Sequence, residues 1–208
     1  MSYGPQVFVD KFGPPEPLLA NGIHFSEEWA NMLWEGVVQE VGTGYFMDQF
    51  LCLFGEGIRE FDPLIESWAF LLPDEKERWV IGKNAYGALL LLEDPTVEGT
   101  MGLVGLLDPL TVSYQQDNQL DLMGLVGNWL PQERQPKFLD DNIYQEWRSQ
   151  GSQELESQQI LAIKQPLSLE GKMELANFQV ENIFDYYQST AEIYKKYLNH
   201  DTNPSETN

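Results

Sequence analysis

Apolar and polar positions along this chain follow two periods, and the switches between them mark out its elements. Trp29, Met32, Leu33 and Val37 recur at helical spacing behind Ser26, whose hydroxyl suits a helix start. Glu27 and Glu28 fall in the first turn, where the helix dipole favours acids, and Gly42 ends the helix. Ahead of it, Phe12-Gly13-Pro14-Pro15-Glu16-Pro17 predicts a loop-like opening, because prolines are barred from a helix interior. The apolar run over residues 45–54, bounded by Gly42-Thr43-Gly44 and Gly55-Glu56-Gly57, predicts one buried strand. Asp62 as a cap and Pro63 as first helical residue open a short helix with Leu64, Ile65 and Trp68 on one side.

The charged loop Pro73-Asp74-Glu75-Lys76-Glu77-Arg78 comes next. Residues 79–83 and 85–92 then read as a hairpin across Asn84, and Glu93-Asp94-Pro95 breaks its second strand. Residues 101–107 and 110–114 extend the same sheet. Beyond residue 118, Leu120, Met123, Leu125, Val126 and Trp129 suggest a helix ending before Pro131, with Gly124 and Gly127 weakening it. A helix over 140–149, a strand over 160–163 closed by Pro166, and a strand over 173–178 follow. The last helix carries the widest stripe: Ile183, Tyr186, Tyr187, Thr190, Ile193, Tyr194 and Tyr197. Met-Gly-Leu-Val-Gly occurs at 101–105 and again at 123–127, but the flanks do not align, so the repeat reads as chance. The pattern gives an α+β fold: an antiparallel sheet with flanking helices over 1–116, and a smaller α+β part over 117–208 ending in a long helix.

Charge changes this picture most. Thirty-three Asp and Glu face twelve Lys and Arg, a formal net charge of −21. Such a chain repels nucleic acid and anionic membrane and attracts basic surfaces. The acids are dispersed rather than gathered in a tail, and 42% hydrophobic residues supply a core, so the acidity is expected to coat a folded surface. The single Cys52 excludes an intramolecular disulfide and reads as a buried small apolar residue. The first residues have no basic start followed by an apolar stretch, and no window reaches the length of a membrane span; a cytoplasmic protein is the expectation.

Candidate chemistry is sparse. His24 reads as a capping or core residue and His200 lies near the end, with no metal-ligand spacing around either. There is no G-x-S-x-G elbow, and Gly55-Glu56-Gly57 and Gly102-Leu103-Val104-Gly105 match no phosphate-binding loop. Neither catalytic residues nor a metal or cofactor are assigned. Adjacent carboxylates point apart on regular elements, so each pair taken alone is a solvated surface. As a set they complement a basic partner, and Glu27, Glu28, Glu56, Asp74, Glu75, Glu77, Glu93 and Asp94 are the candidate partner-binding residues. Most of the six Trp fall on apolar faces and read as core.

Gly42-Thr43-Gly44-Tyr45-Phe46-Met47-Asp48 resembles the G-x-G-x-[FY]-x-D stretch of GAD-related domains. Ile65-Glu66-Ser67-Trp68 and Ala85-Tyr86-Gly87-Ala88-Leu89 look like that domain's later helix and its aromatic-Gly hairpin. Pro166-Leu167-Ser168-Leu169-Glu170-Gly171 is similar to the P-A-L-x-L-G-G turn of the domain often fused behind it, and Glu174-Leu175-Ala176-Asn177 precedes the final helix. The chain departs from the pattern at Gln49, where the family favours Gly, and at Glu170, in place of the first Gly of the turn. The resemblance spans roughly residues 5–195. It implies an immunity protein of a type VI secretion system that neutralises a cognate toxin, commonly a nuclease, as a monomer or a one-to-one heterodimer. A nuclease holds phosphates on a cationic face, which an acidic inhibitor can occupy in place of the polyanion. Two alternatives stay open: a regulatory or scaffold domain binding an endogenous basic protein, and a small carboxylate-dependent hydrolase.

Overall fold

Six antiparallel strands lie side by side in chain order, and their long apolar runs explain the arrangement. A computed structural model describes residues 4–16, 33–54, 57–94, 102–132, 136–151 and 154–201. The sheet comprises β1 (Gly44–Phe46), β2 (Leu51–Leu53), β3 (Arg78–Asn84), β4 (Leu89–Glu93), β5 (Leu103–Asp108) and β6 (Ser113–Asp121). Every residue of β3 and β4 is buried, which is why these strands read as continuous apolar runs rather than alternating ones. A second, two-stranded sheet pairs β7 (Gln159–Ile163) with β8 (Phe178–Asn182). The helices are α1 (Pro5–Phe12), α2 (Leu33–Val41), α3 (Pro63–Ser67), α4 (Leu122–Gly124), α5 (Asn142–Ser149) and α6 (Ile183–Asp201). The fold is α+β and ends in a long helix, in line with the periodicity.

The turn between β3 and β4 joins the two sheets. Asn84 accepts from the backbone N–H groups of Tyr86 and Ala88 and donates to the carbonyl of Phe138 at 2.9 Å. Leu161 N–H donates to the Ala85 carbonyl at 2.8 Å, and the Tyr187 hydroxyl to the Gly87 carbonyl at 2.7 Å. Gly87 has φ 84°, and a Cβ there would press on Ile160 of β7, so glycine is required on both counts. Trp68 is fully buried and donates to the Tyr187 carbonyl at 3.0 Å, binding α3 to α6. Residues 116 and 117, at the seam between the two expected domains, both lie within β6.

Several sequence expectations give way. The opening is helical, because Pro5 stands at the first helical position, where a missing N–H costs nothing; the breakers act only from Gly13 onward. Residues 45–54 form two strands, with residues 47–50 turning back between them. Residues 109–112 are a turn, closed by Asp108 accepting from Leu110 N–H at 2.9 Å and the Thr111 hydroxyl at 2.7 Å. β6 starts only at Ser113, and as a polar edge strand it offers no apolar alternation to read. The helix expected from residue 120 is α4, opened by Asp121 accepting from Gly124 N–H, and it widens into a π-turn over Leu125–Trp129. Residues 175–177 form a 3-10 turn ahead of β8, so the strand lies later than expected. Asp62 does not cap α3; its carboxylate accepts from Val80 N–H at 2.8 Å and pairs with Arg59. The helix start at Ser26 lies outside the described residues, while its end is at Gly42, whose N–H donates to the Val38 carbonyl.

Candidate docking cleft

The eight acids singled out by sequence divide three ways. Glu27, Glu28 and Glu56 lie outside the described residues. Asp74, Glu93 and Asp94 converge on two cations. Glu93, the last residue of β4, is fully buried and accepts from Arg78 Nε at 2.8 Å, with Lys76 Nζ at 3.4 Å. The Tyr114 hydroxyl and the Gln116 amide of β6 also donate to it. Arg78 reaches Asp74 at 2.6 Å, a bond that holds the Asp74 carboxyl below the usual carboxylate range. Asp94 stands 3.9 Å from Lys76. A buried carboxylate and guanidinium with their hydrogen bonds filled hold the β3–β4 hairpin to β6. Glu75 and Glu77 remain exposed, and Glu77 accepts from Trp79 Nε1 at 3.0 Å. The fold itself therefore uses most of this loop's charge.

A second acidic region forms where sequence reasoning did not place one. A cleft of about 650 Å³ opens between the end of α1, the β1–β2 turn and the segment after α5. Phe12, Pro14, Tyr45, Phe46 and Met47 make its apolar lining, and Glu16, Asp48 and Glu154 bring three carboxylates, with Gln49 beside them. All three acids are exposed. Glu16 N–H donates to the Tyr45 carbonyl at 2.6 Å, fastening the proline-rich segment to β1.

The turn that carries Asp48 is held in an unusual backbone state. Met47, Asp48 and Gln49 have φ of 55°, 53° and 69°, three successive left-handed residues without a glycine. Each costs roughly 1 kcal/mol, so the surroundings must impose the shape. They do so through Phe50, which is buried against Tyr86 and Tyr144 at centroid distances of 5.2 and 5.5 Å. The Tyr144 hydroxyl donates to the Asp48 carbonyl at 3.0 Å. From α5, Arg148 sets Nε 3.6 Å from Asp48 and Nη2 3.6 Å from Glu154. Both separations exceed hydrogen-bond length, so these ion pairs leave the acceptor positions of either carboxylate open.

Tyr45 lies in a cross-strand row with Cys52 and Lys83. Burial, then the Cys52 thiol and Glu60, push the Tyr45 phenol up to about 12. Tyr144 is likewise pushed up to about 12, first by burial and against the pull of Arg148, so both phenols stay neutral donors. Enclosure pushes the Lys83 amine down; it sits 5.5 Å from the centre of the Phe61 ring. Cys52 is buried, as its apolar neighbours indicated. Among the described residues, no group of three or more His, Cys, Asp and Glu is arranged to hold a metal, and no helix is long and apolar enough to cross a membrane.

No family model matches the chain, and no curated protein matches it in sequence. Among solved structures it is similar to the crystal structure of Atu4351 from Agrobacterium tumefaciens, with a TM-score of 0.59 and 12% identity over 90% of this chain and 88% of that one. At that identity the likeness is one of fold.

Proposed function

We propose that this protein is a stoichiometric binder of a basic protein, and specifically an immunity protein that neutralises a type VI secretion toxin, a nuclease. The carrying observation is the cleft: three exposed carboxylates around an apolar lining, two of them 3.6 Å from Arg148, on a chain of net charge −21. A surface of this kind repels phosphates and complements the cationic face with which a nuclease grips them. It acts in the cytoplasm as a monomer that forms a one-to-one complex, and it needs no cofactor.

The resemblance to GAD-related immunity proteins gains support from the two positions at which the chain departs from their pattern. Gln49 and Glu170, standing where those proteins favour glycine, have φ of 69° and 64°. Both keep the left-handed backbone that glycine adopts most easily. Beside Glu170, a Cβ at Gly171 would fall on the Gln165 carbonyl, so the second glycine of that turn is obligatory.

The test is co-expression with each candidate toxin from the neighbouring genes. A one-to-one complex that abolishes nuclease activity is the expected result. A toxin that stays fully active under excess of this protein defeats the proposal.

A further inference from the structure

We infer that a pocket between β5, β6 and the π-turn binds a small primary amine carrying one aromatic ring. The inference goes beyond the toxin-binding reading and does not depend on it. Two departures from regular structure open this pocket. In the sheet, Gly105 pairs with Gln116 and Leu103 with Asp121, so residues 117–120 of β6 stand opposite Val104 alone and the edge strand bulges there. Beyond β6, Leu130 N–H donates to the Leu125 carbonyl at 2.9 Å, five residues back, and this π-turn ends in Trp129. Bulges gather next to binding and catalytic sites, and π-turns frequently mark them. Here the two meet at one opening of about 250 Å³.

Leu90, Val104 and Leu106 make an apolar floor: Leu90 pairs with Leu106 across β4 and β5, and Val104 lies two residues away on the same face. Leu120 from the bulge and Trp129 from the π-turn complete the lining. An apolar cavity of about 150 Å³ takes a benzene ring, so this one has room for a ring and a two-carbon arm. Trp129 is half-buried, and its indole favours both a neighbouring ring and a cation over its face. Asp117 is the charged residue of the lining and is exposed. Its Oδ1 accepts from Gln119 N–H at 2.9 Å, which fixes the carboxylate within the bulge. Among the described residues it enters no ion pair. A carboxylate beside an apolar ring site selects an ammonium, and a net charge of −21 disfavours anions.

The test titrates the full chain, labelled with nitrogen-15, with 2-phenylethylamine, 2-phenylethanol and phenylacetate, which share a ring on a two-carbon arm and differ in charge. The amine is expected to move the amides of residues 104–106 and 115–117 and the Trp129 indole N–H until they saturate. It should bind about 1.5-fold to fivefold more tightly than the alcohol, the range for an exposed ion pair, and phenylacetate should bind most weakly. Asp117→Asn keeps the oxygen that accepts from Gln119, and it should bring the amine to the affinity of the alcohol with the alcohol unchanged. Leu106→Trp fills the floor and should abolish all three titrations. Should that variant fail to fold, the Asp117→Asn comparison, made at an exposed residue, decides. The inference is overturned by the absence of a saturable shift with the amine, by shifts centred elsewhere, or by equal affinity for amine and alcohol. An amine preference that survives Asp117→Asn overturns it too.

Discussion

Two acidic regions of this molecule have opposite fates, though both are read from the same residue types. At the edge of β3 and β4, Glu93 is enclosed with Arg78, Lys76, Tyr114 and Gln116, and its charge is spent on holding three strands together. At the β1–β2 turn, Asp48 and Glu154 share one cation at long range and face an open cleft. An acid is available to a partner only when the fold has not already supplied its counter-charge.

The largest effect that could break this contrast comes from Glu93→Gln. It leaves Arg78 buried beside a neutral amide, and removing one member of a buried pair costs about 3–5 kcal/mol. Urea unfolding measures it, and a loss below about 1 kcal/mol would place Glu93 in the same class as the cleft acids. The next effect is alkaline. Tyr45 and Tyr144, at about 12 in the fold, keep their protons where the unfolded chain loses them, at about 10. The folded state then binds more protons, so the contribution is complete below pH 10 and falls away as pH rises through 12. Tyr144→Phe, which also releases the Asp48 carbonyl, should flatten that fall; an unchanged slope counts against the role of Tyr144 in holding the turn. At the acid end the sign is reversed. Asp74, held low by Arg78, contributes above the ordinary carboxylate pKa and loses that contribution as pH falls, and Asp74→Asn removes this acid-side slope.

Smaller effects sharpen the cleft side. Gln49→Gly relieves a left-handed residue and should raise stability by up to about 1 kcal/mol, visible in the melting temperature. A clear loss there would mean that the Gln49 side chain supports the turn. The double change Asp48→Asn, Glu154→Gln should shift stability by no more than about 0.5 kcal/mol, as exposed residues do. At low salt it should nevertheless slow association with a basic partner more than joint neutralisation of Asp74, Glu75 and Glu77 does. Stopped-flow rates compare the two variants, and the reverse order would return the docking role to the loop.

Much of the fold was legible. The β3–β4 hairpin, the end of α2 at Gly42, β7 and α6 follow from runs, breakers and helical spacing that local chemistry enforces. The cleft was not. Asp48 was visible within Gly42-Thr43-Gly44-Tyr45-Phe46-Met47-Asp48, but nothing in Met47-Asp48-Gln49 announces a turn, since residues that seldom take positive φ are driven there by Phe50 and Tyr144. Glu16, Arg148 and Glu154 lie far apart in sequence, and only packing brings them to one opening.

The repeated pentapeptide marks the boundary between the two kinds of information. In its first copy, Gly102 precedes β5, and Leu103, Val104 and Gly105 pair with β4. In its second copy, Met123 and Gly124 lie in α4 and Leu125, Val126 and Gly127 in the π-turn beyond it. Sequence alone determined that the chain would be acidic and that it would be α+β. Whether the shared Leu-Val-Gly became strand or helix was decided by the neighbours, a β4 edge to pair with in one case and the Asp121 cap in the other. Local propensity differs by tenths of a kcal/mol per residue, while tertiary burial contributes whole ones.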